Sequence, residues 1–358
     1  MSARAPISLL KLALLTVLLV CSAIGAMTGA AAAVDETAIL AKKPPAKLSA
    51  FGFFADASRQ VPAEGVIPFA PRTPLFTDFA EKRRFVYVPE GESAVYDAHE
   101  AFAFPVGSAL IKTFAYEAAD RPGGLRLVET RVLLRQEKGW QAWAYVWNED
   151  QSEAELKIAG AKIPMTVPIP GGGTQDIVYA VPNKAQCKGC HALDGEVVPI
   201  GPKARNLNHV FPYRQGEENQ LAHWAEAGML TGLPDLADVP AVPDWLDETA
   251  PLDKRARAWL DINCAHCHRA EGPASNSGLF LTWDEKEPAA LGIGKRPVAA
   301  GRGAGHLKVD IEPGDPDASI LVYRVESNEP GVMMPELGRS LTDSRAVALL
   351  REWVASME

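Results

Sequence analysis

Cysteine is scarce in this chain. There are five in 358 residues, Cys21, Cys187, Cys190, Cys264 and Cys267. Cys21 lies in an N-terminal stretch that reads as a removable signal, and the other four stand in two tight pairs. No cysteine is left for a disulfide, although an exported protein would permit one. Stability must come from apolar burial and from whatever the pairs hold. Basic charge is short as well: 36 Lys and Arg face 45 Asp and Glu, for a net charge of −9. That balance excludes the electrostatic footprint of a nucleic-acid binder. Beyond the N-terminus no apolar run is long enough to span a bilayer, so no membrane span is expected after signal cleavage. No internal repeat of about 20–50 residues marks a solenoid or propeller.

The cysteine pairs sit in two Cys-x-x-Cys-His pentads, Cys187-Lys188-Gly189-Cys190-His191 and Cys264-Ala265-His266-Cys267-His268. A c-type haem needs this pattern: two thiols add across the porphyrin vinyl groups, and the adjacent imidazole reaches the iron as proximal ligand. A structural zinc site also uses Cys-x-x-Cys pairs, but with halves about 15–20 residues apart. Here 73 residues separate Cys190 from Cys264, and a His follows both pairs. A thioredoxin-like dithiol needs one pair in a βαβ setting and no trailing His. The sequence therefore predicts two covalently bound haem c groups, held by Cys187, Cys190 and His191 and by Cys264, Cys267 and His268.

The N-terminus agrees. Arg4 and Lys11 flank the apolar stretch Leu12–Val20, which runs on to Ala31-Ala32-Ala33. A positive start, an apolar middle and an Ala-x-Ala site predict a secretory signal at 1–33 and a periplasmic protein. The alternative is an uncleaved helix anchoring the chain in the membrane. Loss of Arg4 and Lys11 takes the net charge from −9 to about −11. Such a surface suits docking to a basic redox partner or to another cytochrome. The sequence assigns no oligomeric state.

Three regions follow. Residues 48–180 predict an antiparallel β-sandwich or barrel-like domain. Its strand candidates are Phe85–Val88, Ala109–Phe114, Leu125–Arg135 and Trp140–Trp147, bounded by Gly, Pro and Asp turn signals. Glu129 and Arg131 share a face there and predict a partly buried ion pair. Residues 181–245 form the first haem-binding region, with a helix beginning at Cys187 and another over Glu217–Met229 closed by Gly232 and Pro234. Residues 252–358 form the second. Ala256, Trp259, Leu260 and Asn263 recur at helical spacing before Cys264. Ala346, Leu349, Leu350, Trp353 and Val354 make an apolar stripe, with Thr342 the candidate N-cap. The expected fold is multi-domain, β followed by all-α.

Residues 252–358, with helix, pentad, loop, Met-Pro and final helix, resemble a class I cytochrome c. The whole chain resembles a family of periplasmic di-haem c-type cytochromes with an N-terminal β-domain. That resemblance rests on Phe104-Pro105-Val106-Gly107, Ile111-Lys112-Thr113-Phe114, Glu129-Thr130-Arg131, Tyr145-Val146-Trp147-Asn148 and Gly331–Gly338. It implies two small helical cytochrome c-like haem domains after the β-domain, and electron transfer with no named substrate.

The sixth ligand decides what each haem can do. Met334, 66 residues after His268 and followed by Pro335, stands where a class I cytochrome places its methionine. Met333 is the alternative, and gap-filling in the core is the competing role for both. For the first haem the candidate is Met229, with His209 and His223 as rivals and an open position as the remaining choice. His266, inside its own pentad, is a poor candidate. Arg302 and His306 are candidates for meeting haem propionates. The leading function is a periplasmic electron carrier. The alternatives are a peroxidase-like di-haem oxidoreductase with an open sixth position at the first haem, and a β-domain binding carbohydrate or a partner through Trp140, Trp143 and Trp147.

Overall fold

The computed structural model describes Met1 and residues 33–298 and 301–358. The expected signal, its cleavage site and Cys21 lie outside the described residues, apart from Ala33.

The predicted strands form one open antiparallel sheet. Its six strands are β1 (Val66–Phe69), β2 (Glu81–Tyr87), β3 (Ala109–Glu117), β4 (Leu125–Gln136), β5 (Gly139–Trp147) and β6 (Ala154–Leu156), paired in sequence order, with Lys47 bridging the β6 edge at Glu155. Period-two alternation sorts their side chains onto two faces. Phe85, Ile111, Val132, Leu134 and Tyr145 point to one face, where Ile39, Leu48, Phe51 and Phe53 from the N-terminal segment cover them. On the opposite face, the hairpin of β7 (Ala161–Pro168) and β8 (Thr174–Val181) packs Val167, Ile177 and Tyr179 on Phe114 and Val128. The rest of that face carries Val86, Leu110 and Trp140, which meet Leu207, Leu221, Trp224 and Met229 from beyond the first pentad.

This arrangement overturns the expected fold. The β region is an open six-stranded sheet with the two-stranded β7–β8 hairpin packed on one face, and among the described residues it closes into no barrel. No pair of small helical cytochrome c-like domains follows it. The α-helices of the first haem-binding region are the short α2 (Lys184–His191), α3 (Ala204–Leu207) and α4 (Gln220–Glu226), set among two-stranded hairpins, with a short α1 (Glu36–Leu40) far upstream. Helices this short cannot enclose a core by themselves, so their apolar side chains finish it on the sheet. Leu230 and Thr231 pair in parallel with Ala94 and Val95, and the Gln220 amide donates to the Ala70 carbonyl at 2.8 Å.

The helix expected over Glu217–Met229 begins only at Gln220. Residues Gly216–Asn219 pair with Val210–Tyr213 instead, the Asn219 side chain caps the Leu221 amide, and Gly228 turns left-handed after the end. The third region has its own core around α5 (Leu252–Asn263), α6 (Ile320–Glu326) and α7 (Ser344–Ala355). Trp259, Leu260, Val322, Leu350 and Trp353 pack there, but long irregular loops join the helices. The α7 stripe is buried as expected, with Asp343 rather than Thr342 as N-cap. Among the described residues no helix is long and apolar enough to cross a membrane.

Candidate functional site

The first pentad rides on α2. Asn183 and Gln186 form a reciprocal capping box that starts this helix three residues before Cys187. Helical spacing then puts Cys187, Cys190 and His191 on one face. That face borders a cleft between α2 and the sheet. Its apolar walls are Leu75, Leu133, Ala142 and Ile200, and Lys112 and Arg131 of the sheet also line it.

His191 is oriented within the cleft wall. Its Nδ1 lies 2.7 Å from the Val198 carbonyl oxygen. A carbonyl only accepts, so Nδ1 carries the proton and Nε2 keeps its lone pair. Burial pushes the imidazole down to about 4, which keeps it neutral at pH 7. This is the outer-shell arrangement that prepares a histidine to bind a metal through Nε2.

The second pentad leaves the end of α5 as a turn rather than a helix. The Cys267 and His268 amides both donate to the Cys264 carbonyl, at 3.1 and 2.9 Å. Cys264 is buried in the helical core. His268 Nδ1 is 3.3 Å from Ser277 Oγ, and burial, then the Arg324 charge, push its imidazole down to about 4.

The Met333-Met334-Pro335 loop abuts this pentad. Met333 is buried and Met334 half-buried. The Met334 amide donates to the Arg324 carbonyl at 2.9 Å. Arg324 is in turn held by its Nε bond to the Val332 carbonyl at 2.8 Å. Gly303 lies under that guanidinium, where a Cβ would meet Cζ at 2.8 Å; only glycine allows the approach. Arg339, also buried, donates to the carbonyls of Met334 at 2.9 Å and Ser327 at 2.8 Å.

Folding brings the two pentads together. The Cys267 thiol and then the His266 imidazole, both near Cys190, push the Cys190 thiol down, while Cys190 and burial push Cys267 up. His266 lines the same cleft as Cys190 and His191, and its buried Nδ1 has no hydrogen-bond partner. Pro335 lines that cleft too.

The other candidates are held elsewhere. Met229 is buried among Phe69, Phe102, Phe104 and Trp224, and it is not among the residues lining the clefts at His191. His209 Nε2 is 3.0 Å from the Ala70 carbonyl. His223 Nδ1 is 2.7 Å from Glu218, and its ring stacks on Tyr213 at 3.7 Å. Arg302 pairs with Glu329 at 2.8 Å. His306 adopts a left-handed backbone. Trp140, Trp143 and Trp147 are buried in the cores, and Trp143 also lines the cleft at the first pentad.

Sequence reading gave Lys112 no role and Arg131 only an ion pair, yet both line the cleft. A usable signal was present: a charged residue at an alternation position flanked by Leu110 and Phe114 on a buried face. Nothing local marked His266, whose partner lies 76 positions away. Among the described residues no three His, Cys, Asp or Glu side chains converge as a tetrahedral metal site would need. A c-type haem takes one histidine and two thiols per pentad, and both pentads present those groups at neutral imidazoles. Compared with known proteins, the chain matches no family model, no curated protein and no solved structure.

Proposed function

We propose that the chain is a di-haem c-type cytochrome transferring electrons in the periplasm, with one haem on each pentad. The observation that carries this reading is the His191 imidazole, neutral, fixed through Nδ1 by the Val198 carbonyl at 2.7 Å, and lining a cleft beside two free thiols. When bound, each haem would supply a one-electron iron couple. Cys187 and Cys190 would hold the first by thioether bonds and His191 would ligate it; Cys264, Cys267 and His268 would do the same for the second. The apolar wall of Leu75, Leu133, Ala142 and Ile200 keeps water from the first site, a standard lever on reduction potential. Met334, stapled by Arg324 and Arg339, is the sixth ligand proposed for the second haem. The adjacent attachment points at Cys190 and Cys267 suit electron exchange within one chain, and the acidic surface suits a basic partner or another cytochrome.

One observation favours a second reading, a peroxidase-like di-haem oxidoreductase. Met229, His209 and His223 are all engaged away from the cleft, which leaves the first haem without a sixth ligand among the residues expected to provide one. Haem counting on the purified protein, followed by ferric optical and EPR spectra with a cyanide titration, separates the outcomes. Two low-spin haems that ignore cyanide support the carrier. A high-spin component lost on cyanide addition supports the oxidoreductase. A chain that matures without covalent haem sinks both.

A further inference from the structure

The sheet face over the first pentad carries a row of cations where apolar side chains belong. Arg84 of β2 stands opposite Lys112 of β3, and Lys112 stands opposite Arg131 of β4. Like charges directly opposite across strands repel, and burial adds a desolvation cost unless each charge is paired. Pairing reaches only one of the three. Arg131 donates to both oxygens of Glu129, at 2.7 and 2.8 Å, and Glu129 also accepts from Tyr179 at 2.8 Å, so this acid is fully used. Arg84 donates to the Lys82 carbonyl at 3.1 Å. Among the described residues Lys112 makes no ion pair; its ammonium lies 5.0 Å from the centre of the Phe114 ring.

The cleft that Lys112 and Arg131 border is one-sided in charge. Lys112 and Arg131 line it together with Cys187, Cys190 and His191, and no carboxylate does. A chain with a net charge of −9 has placed the unpaired Lys112 at the cleft that borders the first pentad. An anion there would receive charge-assisted hydrogen bonds and offset the repulsion in the row. We infer that Lys112 and Arg131 form a carboxylate receptor that binds a propionate of the haem fixed at Cys187 and Cys190. The sheet then supplies one wall of the first haem site, and it is no independent docking module. This assignment rests on the haem reading above.

The test uses the full-length, haem-loaded protein and its Lys112→Met and Lys112→Arg variants. Mass and haem content of the wild type report on the haem reading alone; a chain without covalent haem overturns that reading. With two haems in place, redox titration followed optically tests the receptor. Removing positive charge beside the porphyrin favours the ferric state, so Lys112→Met should lower the midpoint of one haem and leave the other. Lys112→Arg should restore it. Both variants should carry two haems and keep the wild-type far-UV circular dichroism, which separates a redox effect from misfolding. Unchanged midpoints in Lys112→Met, with both haems present, overturn the proposal. So does a saturable midpoint shift when acetate replaces chloride at constant ionic strength in the wild type, because the row would then be open to a free carboxylate.

Discussion

Arg205 and Asp261 form a two-pronged ion pair at 2.8 and 3.0 Å, with both side chains only 4% exposed. Arg205 lies on α3, behind the first pentad, and Asp261 on α5, just ahead of the second. Asp261 also accepts from the Trp283 amide at 3.0 Å, and Arg205 donates to the His99 carbonyl at 2.7 Å. One buried pair thus ties both pentad-bearing regions and the segment around His99. Breaking it strands a charge in the interior. Asp261→Asn should cost about 3–5 kcal/mol, read as a fall in the urea midpoint at unchanged slope. Replacing both partners together, as in Arg205→Met with Asp261→Leu, should recover most of that loss. A double variant as unstable as the single would show that the pair acts through something other than mutual neutralisation.

Glu100 is the acid-sensitive part of the same junction. It accepts from Arg269, which directly follows the second pentad, at 2.6 and 3.0 Å, and from Lys203 at 3.2 Å. Burial pushes its carboxyl up, but the Arg269 hydrogen bond and the Lys203 and Arg269 charges outweigh that and bring it from 4.5 to about 2. A folded value below the unfolded one means stability that is fully present above about 4.5 and lost as the pH falls toward 2. Glu100 is 39% exposed, so solvent screening holds the contribution to about 1–2 kcal/mol. The gap in unfolding free energy between wild type and Glu100→Gln should be constant near neutrality and close between pH 4.5 and 2. A gap that persists at the acid end would rule out this assignment.

The legible parts of the molecule were those written in local pattern. The pentads are fixed by bond chemistry, and the strands from Phe85 to Trp147 by alternation. The α7 stripe is fixed by helical period, and the Glu129–Arg131 pair by sharing a strand face. The packing of residues 204–231 on the sheet was not legible, because it rests on contacts such as Ala94 with Leu230 and Ala70 with Gln220, which leave no trace in either segment alone. The expectation of a helical cytochrome domain around Cys187 had a specific source. The pentad specifies three side chains on one turn of helix, and it says nothing about what encloses them. Here a β-sheet does.

Met334 and Arg339 make a separable pair of tests. Met334→Ala should abolish the sulfur-to-iron absorption band of one haem while leaving the haem content at two, whereas Met333→Ala should keep the band and lose stability from the buried side chain. Arg339 touches no haem ligand side chain; it holds the backbone of Met334 and Ser327. Arg339→Met leaves several buried carbonyls without donors, at roughly 1–3 kcal/mol each. It should weaken the band in proportion to loop loosening and sharpen its temperature dependence. An intact band in Met334→Ala would remove Met334 from the iron.

Met229 offers the cleanest distinction between packing and ligation. It is buried among aromatic side chains, beside the parallel pairing of Leu230 with Ala94. Its amide donates to the Trp224 carbonyl at 2.9 Å and its carbonyl accepts from the Ala94 amide at 2.8 Å. Leucine nearly conserves its volume, and such exchanges usually cost under about 1.5 kcal/mol. Met229→Leu should therefore fold, carry two haems and show the wild-type optical and EPR spectra. Met229→Ala should lose about 2–5 kcal/mol through the cavity it leaves, again without a spectral change at temperatures where it remains folded. A sulfur-to-iron band that disappears in Met229→Leu while stability holds would return Met229 to the first iron, and with it the carrier reading over the open-site one.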